Sequence, residues 1–169
     1  VHPDSSPKER ETQICMNDYK YVDLILGKQC QTKMGRGGIR PLEFKTFSKE
    51  MQNAITNYCQ AGGNFFVSGA YVASDLWDNR LVKANEEDKK FAMEVLKYKW
   101  RVGQAARNGK VKSVASPFPE ITGSYTYYQD LNPESYVVES PDALEPAAQG
   151  AFTILRYSEN NLSAGIAYK

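Results

Sequence analysis

The sequence predicts an α/β fold, a three-layer, mostly parallel sheet followed by a β-rich C-terminal extension. Residues 21–27 form a short apolar run of the kind found in buried parallel strands. A helical pattern at 48–60 and a second apolar run at 64–68 follow, and this order is that of a βαβ unit. After Pro117 the pattern changes to alternating segments and a hairpin signal, which predict the extension.

Composition is that of an ordinary globular protein and argues against some partners. Of the 169 residues, 41% are hydrophobic and 24% are charged, and the formal net charge is +1. This charge supplies no field that would draw the chain to nucleic acid. The apolar runs are far shorter than the ~20 residues needed to span a bilayer. We expect a flexible lead-in at 1–13 and one domain at 14–169, with a core at 14–116 and the extension at 117–169, as a fragment of a larger protein.

The first helix and the second strand have clear end signals. Ser48 is a favourable N-cap residue, and Gly62-Gly63 fits the left-handed conformation that ends many helices. Between them, apolar residues at helical spacing make one face: Met51, Ala54, Ile55, Tyr58 and Cys59. Because the second strand leaves through Gly69, the residues after it are predicted to lie on the lip of the sheet. In such folds ligands bind there, outside the carboxyl ends of the strands.

A second helix is predicted to begin after Asn85 and to stop at Asn108-Gly109. Three acidic residues at 86–88 would lie at the positive end of its dipole. Its inner face would consist of Phe91, Ala92, Val95, Leu96 and Trp100. A weaker third strand is predicted at 111–115.

The extension contains two strand signals. The segment at 121–128 alternates and carries Tyr125, Tyr127 and Tyr128, the first two on one face and the third on the other. Residues 150–168 predict a β-hairpin around a polar turn. Aromatic residues in strands usually pack, so we favour packing over a binding surface for these tyrosines.

Histidine and cysteine usage argues against several kinds of active site. The only histidine, His2, lies in a polar leader, so a Ser-His-Asp or Cys-His-Glu triad has no positioned imidazole. The cysteines at 15, 30 and 59 form no CxxC pair, which argues against a zinc site, and their odd number forms no disulfide framework. We therefore assign no catalytic residue, no metal ligand and no cofactor.

Candidate ligand-binding residues follow the second strand. Ser68 could be a nucleophile or a ligand-binding hydroxyl, but without an activating base we favour a serine that caps the loop. Asp75 and Asp78 flank Trp77 and could form a sugar platform with it, in which the indole stacks on the sugar ring and the carboxylates bind its hydroxyls. We favour the alternative, in which Trp77 packs in the core and Asp75 caps a short helical turn.

A loop at 28–41 could bind an anion. Lys33, Arg36 and Arg40 stand there among glycines, and successive glycine amides beside guanidinium groups can form an anion-binding nest. The spacing matches neither a P-loop nor a dinucleotide fingerprint. An ordinary solvated loop is the favoured interpretation.

Two acidic residues near the C-terminal end flank a proline turn. Glu139 and Asp142 could ligate calcium through their carboxylates. The series of oxygen ligands that an EF-hand loop supplies is absent from this segment, so no metal site is predicted.

Several stretches resemble known proteins. A strand ending in DLILG, a helix, and YCQAGGNFFVSG resemble the flavodoxin-like domain of the class I glutamine amidotransferase-like superfamily. More narrowly, YCQAGGNFFVSGAYVASDLWD, VESPDALEP and AFTILRYSENNLSAGIAYK resemble secreted proteins of Bacteroidetes that are often described as xanthan lyases. The resemblance covers most of the chain from about Tyr21. It implies a flavodoxin-like domain without the catalytic triad, because 68–71 lacks the family's cysteine and His2 cannot supply its histidine.

Two expectations of function follow. The first is a non-catalytic, amidotransferase-like domain with a structural or carbohydrate-binding role in a secreted, periplasmic or cell-surface multi-domain protein. The alternative is a polysaccharide lyase or hydrolase, in which Tyr71 and Asp75 act with Lys33, Arg36 and Arg40 on an acidic sugar. The partners would be polysaccharide and other domains of the parent protein, without nucleic acid or a membrane span. Nucleotide or flavin binding is suggested by fold analogy alone.

Overall fold

The computed structural model describes residues 15–30, 32–35, 42–77, 85–127 and 137–169. Short helices pack there against small sheets. The helices are a 3₁₀ turn (Met16–Asp18), α1 (Lys49–Gln60), α2 (Ser74–Trp77) and α3 (Glu86–Glu94). The strands are β1 (Tyr21–Gly27), β2 (Thr32–Met34), β3 (Leu42–Phe44), β4 (Asn64–Gly69), β5 (Tyr98–Val102), β6 (Lys110–Ser113), β7 (Ser124–Thr126), β8 (Ala143–Pro146), β9 (Ala151–Tyr157) and β10 (Ser163–Tyr168).

The prediction of a three-layer, mostly parallel, flavodoxin-like sheet is wrong. Within the described ranges, parallel pairing is limited to β1 and β4. The pairs β2–β3 and β5–β8 are antiparallel, and so is a four-stranded sheet in the order β10-β9-β6-β7. The fold is therefore of the α+β kind. A βαβ signal fixes the direction of only the two strands that it joins, so it could not show how later strands pair.

The βαβ unit itself is confirmed. β1 and β4 pair in parallel with Leu24 opposite Val67, and α1 makes the connection between them. Ser48 caps α1 as predicted, because its side chain accepts a hydrogen bond of 3.3 Å from the Met51 amide. After the helix Gly62 takes a left-handed φ of 86°, which glycine adopts at little cost.

The segment between β1 and α1 is more ordered than predicted. Part of the predicted 28–41 loop forms β2, which pairs with β3 as a short antiparallel ladder. Lys33 lies opposite Glu43 in the register of this pair. The weak alternation of a three-residue strand leaves little signal in a sequence.

The second predicted helix is shorter than its pattern indicated. α3 begins after Asn85, whose side chain accepts a hydrogen bond of 2.7 Å from the Asp88 amide, but it ends at Glu94. Lys97 then turns the chain with a φ of 64°, and β5 follows. Trp100, predicted for the inner face of a helix, lies on β5 opposite Leu144 of β8. Aromatic residues suit strands, and here a distant partner strand overrides the local helical pattern.

The predicted C-terminal hairpin is confirmed as the antiparallel pair of β9 and β10. β6 corresponds to the predicted third strand, but it pairs antiparallel with β9. Tyr125 is exposed on β7, whereas Tyr127 packs edge-on against Tyr157 with ring centroids 6.4 Å apart. Tyr128 lies outside the described residues.

The main core joins elements from both halves of the chain. Leu26 of β1, Ile55 of α1 and Phe91 of α3 are buried together with Leu144 of β8. Ile166 of β10 packs against the same cluster. This shared core holds the carboxyl ends of β1 and β4 against the segment before β8, and the candidate site lies at that junction.

Candidate functional site

The carboxyl ends of β1 and β4 form a lip, here defined as residues 28–30 and 70–73. The two strands end side by side, with Gly27 opposite Gly69, and the Ala70 amide donates to the Gly27 carbonyl at 2.8 Å. A Cβ on Gly69 would lie 3.0 Å from the Leu26 Cβ, so glycine permits this close approach. The parallel pairing thus brings two short segments together that are far apart in sequence.

Buried polar groups hold the second lip segment in place. The Asp142 carboxylate accepts hydrogen bonds from the Ala73 and Ser74 amides at 2.9 and 2.7 Å. The Tyr98 hydroxyl donates to the Val72 carbonyl at 2.5 Å, and the Asp142 amide donates to the Ala70 carbonyl at 2.9 Å. Residues 70–74 are therefore fixed by side chains from the second half of the chain, as a binding site requires of its support.

The Asp142 carboxylate thus has a structural role, as an acceptor of hydrogen bonds from distant parts of the chain. Its carboxylate, only 4% exposed, also accepts the Trp100 indole N–H at 3.1 Å. Burial raises the pKa of Asp142 to about 6, even though hydrogen bonds from Ser74, Ala73 and Trp100 favour the ionised form. The residues that the structure describes contain no group of three or more potential metal ligands.

Tyr71 belongs to a group of polar residues on the lip. Its half-buried ring stands near Lys28, which forms an ion pair of 2.7 Å with Glu139, and the Ser140 side chain lies near its hydroxyl. We call Lys28, Tyr71, Glu139 and Ser140 the lip cluster. It combines an aromatic ring, a hydroxyl, a cation and a carboxylate at one surface.

The electrostatics of the lip cluster keep Tyr71 protonated. Burial is the largest cause that raises the pKa of Tyr71, and the nearby Glu139 carboxylate and Cys30 raise it further. Lys28 and the Ser140 side chain act in the opposite direction but do not reverse the shift. The hydrogen bond from Lys28 lowers the pKa of Glu139, so this carboxylate remains ionised at neutral pH.

Asp75 and Trp77 lie on α2, next to the lip, whereas Asp78 lies outside the described residues. The Asp75 carboxylate accepts a hydrogen bond from Thr46, which is buried in the turn before α1. The half-buried Trp77 packs against the main core. The contacts of both residues thus tie α2 to the body of the protein.

Ser68 lies apart from the lip cluster, on β4, opposite Ile25 of β1. Ile25 is 72% exposed, so this side of the strand pair faces solvent. No histidine lies within the described ranges, and His2 falls before them. The described part of the chain therefore brings no imidazole to Ser68.

The predicted anion nest cannot be placed. Arg36 and Arg40 lie outside the described residues, and for Lys33 only the backbone is described, in β2. The possible contribution of these three residues to a ligand site stays a prediction.

Sequence reasoning missed Lys28 and Ser140 as site residues and assigned Glu139 to a different chemistry. Lys28 directly follows the glycine that ends β1, which is the same signal that drew attention to Tyr71 after β4. Glu139 and Ser140 had no such signal, because 111 residues separate Glu139 from Lys28.

Comparisons of this chain with protein-family models, curated proteins and solved structures gave no match. Within the described ranges, no helix has the length and apolar character needed to cross a membrane. The resemblance to secreted polysaccharide-related proteins therefore stays a prediction from the sequence, and the geometry of the lip is the basis for a functional proposal.

Proposed function

We propose that this chain is a non-catalytic carbohydrate-binding domain of a secreted, multi-domain protein, and that the lip cluster is its binding surface. The observation that carries the proposal is the position of Tyr71. Its ring lies on a loop held by Asp142 and Tyr98, beside the paired charges of Lys28 and Glu139.

The residue types of the lip cluster suit a sugar. An aromatic ring offers an apolar face for the C–H side of a pyranose, while a carboxylate and a hydroxyl bond its hydroxyl groups. Glu139 and Ser140 provide those two groups, and Lys28 adds a donor for an acidic sugar. The Lys28–Glu139 pair is surface-exposed, so a ligand can compete for its hydrogen bonds at small cost.

Two observations support binding without catalysis. A tyrosine that acts as a general base needs a pKa near the working pH, and burial moves the pKa of Tyr71 the other way. Asp75, the other candidate acid or base, accepts a hydrogen bond from the buried Thr46 hydroxyl.

One observation favours a lyase as the second candidate. A polysaccharide lyase needs a base beside a cation that neutralises the substrate carboxylate, and the lip brings Tyr71 close to Lys28. In this reaction the Tyr71 phenolate would take the proton next to the substrate carboxylate, and the C–O bond to the leaving sugar would break as the carbon–carbon double bond forms. Tyr71 would then return the proton to the leaving oxygen, while Lys28 would release Glu139 and bind the substrate carboxylate. A lyase therefore requires substrate binding to lower the pKa of Tyr71.

The test is a screen of the protein against neutral and acidic polysaccharides, xanthan included, with calorimetry for binding and ultraviolet absorbance for unsaturated uronate. We expect binding without new absorbance, and we expect Tyr71→Ala to weaken binding about tenfold through loss of the ring and its hydroxyl. Tyr71→Phe keeps the ring and should lose less binding affinity than Tyr71→Ala. Tyr125→Ala, which removes an exposed tyrosine on β7, is the matched control.

The outcomes separate the candidates. New absorbance that Tyr71→Phe abolishes would make the protein a lyase and reject a non-catalytic role. Binding that Tyr71→Ala leaves unchanged would place the sugar elsewhere. Absence of both binding and turnover across the screen would reject carbohydrate as the ligand.

A further inference from the structure

A second concave site lies away from the lip, between the β5–β8 pair and the β9–β10 hairpin. Its volume is about 280 Å³. Ligand pockets for drug-sized molecules have volumes of about 300–1,000 Å³, so this cleft is suited to a small group. Arg101 of β5 and Arg156 of β9 both line it, which brings two guanidinium groups to one cavity.

The charges around the cleft are positive on balance. Arg101 forms an ion pair of 2.9 Å with Glu145, the one carboxylate among the lining residues. Arg156 donates to the Asn161 carbonyl at 2.7 Å, which uses one of the five N–H donors of a guanidinium. Lys112 lies directly opposite Arg156 in the register of β6 and β9, and directly opposed residues share a face of the sheet.

The rest of the lining combines hydroxyls with apolar groups. Thr153 donates to the hydroxyl of the buried Ser163 at 3.2 Å, and both residues line the cleft. Leu144 and Leu162 supply apolar surface. A bare inorganic ion gains nothing from apolar walls. An organic molecule with one charged end can contact the arginines with that end and the apolar walls with the rest.

We propose that this cleft binds a carboxylate group carried on a small organic ligand, with Arg101 and Arg156 as its recognition residues. The fork of N–H donors on arginine matches the two oxygens of a carboxylate. The Arg101–Glu145 pair is exposed, and such pairs contribute little, so an incoming carboxylate can share the Arg101 donors. The negative charge of Glu145 repels an incoming carboxylate. This site is separate from the lip cluster, and the proposal does not depend on carbohydrate binding there.

The test uses nitrogen-15 NMR of the whole chain and follows the side-chain Nε–H signal of Arg156, which is assigned by its loss in Arg156→Gln. Acetate and benzoate are the carboxylate probes, benzamide is the uncharged match of benzoate, and inorganic phosphate is the inorganic anion. We expect both carboxylates to shift the signal with saturation on the order of millimolar, as suits fragments of this size, and benzamide to leave it unchanged.

Three variants make the test specific. Arg101→Gln should weaken benzoate binding about tenfold, because a charge-assisted donor is lost. Glu145→Gln should strengthen it by about threefold, because a competing carboxylate is removed. Lys90→Gln removes the same unit of charge from the exposed side of α3 and should have no effect. The amide spectrum of each variant reports whether its fold is intact.

Four results would overturn the proposal. These are no saturable shift with either carboxylate, an equal shift with benzamide, an affinity for phosphate as high as that for benzoate, or a loss in Lys90→Gln as large as that in Arg101→Gln. The last two would indicate a general response to anions instead of recognition of an organic carboxylate.

Discussion

Asp142 connects three parts of the chain that are distant in sequence. Its carboxylate joins the start of α2, through the Ala73 and Ser74 amides, to the indole of Trp100 on β5. Its carbonyl accepts the Tyr157 hydroxyl at 2.6 Å, which adds the C-terminal hairpin. Satisfied hydrogen bonds allow such a group to be buried, but ionising it there still has a cost.

Because ionising the buried Asp142 costs free energy, we expect the stability of the protein to depend on pH. The carboxyl of Asp142 has a pKa of about 6 in the folded protein and 3.8 as its ordinary value, so the folded state holds the proton more tightly. Below both values the group has no effect on stability. As the pH rises through this window the folded state loses stability relative to the unfolded state, by about 3 kcal/mol in total.

The measurement is the free energy of unfolding in urea from pH 4 to pH 7 for the wild type and for Asp142→Asn. We expect the wild type to lose about 2.4 kcal/mol relative to the variant over this range, because about 0.6 kcal/mol of the total has already been lost at pH 4. The variant also loses the acceptor for the Trp100 indole, which shifts its curve by an amount that does not depend on pH. Glu120→Gln, which removes an exposed carboxylate, is the control. Parallel curves for the wild type and Asp142→Asn would show that burial does not penalise the ionised form.

At the scale of the element, the two adjacent glycines at the end of α1 have different surroundings. Gly62 has a φ of 86°, and the space around its Cα is open. A Cβ on Gly63 would instead lie 2.3 Å from the ring of Tyr58. That ring cannot easily move, because it is 2% exposed and its hydroxyl lies within hydrogen-bond distance of two carbonyls, 3.0 Å from that of Tyr19 and 3.2 Å from that of Asn64.

Replacement of each glycine by alanine should therefore have a different effect. Gly62→Ala should lower the free energy of unfolding by about 1–2 kcal/mol, the cost of a left-handed conformation with a side chain. Gly63→Ala should lower it by about 3 kcal/mol or more, because the new methyl group must displace a buried ring. Chemical denaturation of both variants checks this order. In the double variant Gly63→Ala/Tyr58→Leu the added cost of the alanine should fall, and a full cost there would contradict the steric explanation.

At the scale of the whole molecule, the main core spans both halves of the chain. Leu144 of β8 is 7% exposed and packs with Leu26 of β1 and Ile55 of α1. Because Leu144 lies 118 positions after Leu26 and 89 positions after Ile55 in a chain of 169 residues, we expect the two halves of the core to unfold together.

Leu144→Ala tests this cooperativity. It should lower the free energy of unfolding by about 2–5 kcal/mol, the range for loss of a buried leucine side chain. Tryptophan fluorescence and far-ultraviolet circular dichroism should report the same shifted midpoint in urea. Ile25→Ala, on the exposed side of β1, should change stability by less than about 0.5 kcal/mol. Two separate transitions, with only one of them shifted, would show that the halves unfold independently.

Local signals in the sequence were sufficient to predict several parts of the fold. The caps at Ser48 and Asn85, the left-handed glycine after α1 and the hairpin of β9 and β10 were all predicted correctly. So was the parallel pair that creates the lip. Each of these features depends on residues a few positions apart or on a single crossover, and such interactions leave a readable pattern.

Tertiary structure alone decided the rest. The segment at 98–102 became a strand because β8 pairs with it, and that pairing made the fold α+β instead of a doubly wound sheet. Of the proposed site residues, Tyr71 could be found from its place after a strand, whereas its partners Glu139 and Ser140 could not. A pairing between residues about a hundred positions apart depends on how the whole chain packs. It therefore leaves no mark in the local pattern of either segment, and this is why a sequence can indicate where a site begins without showing what completes it.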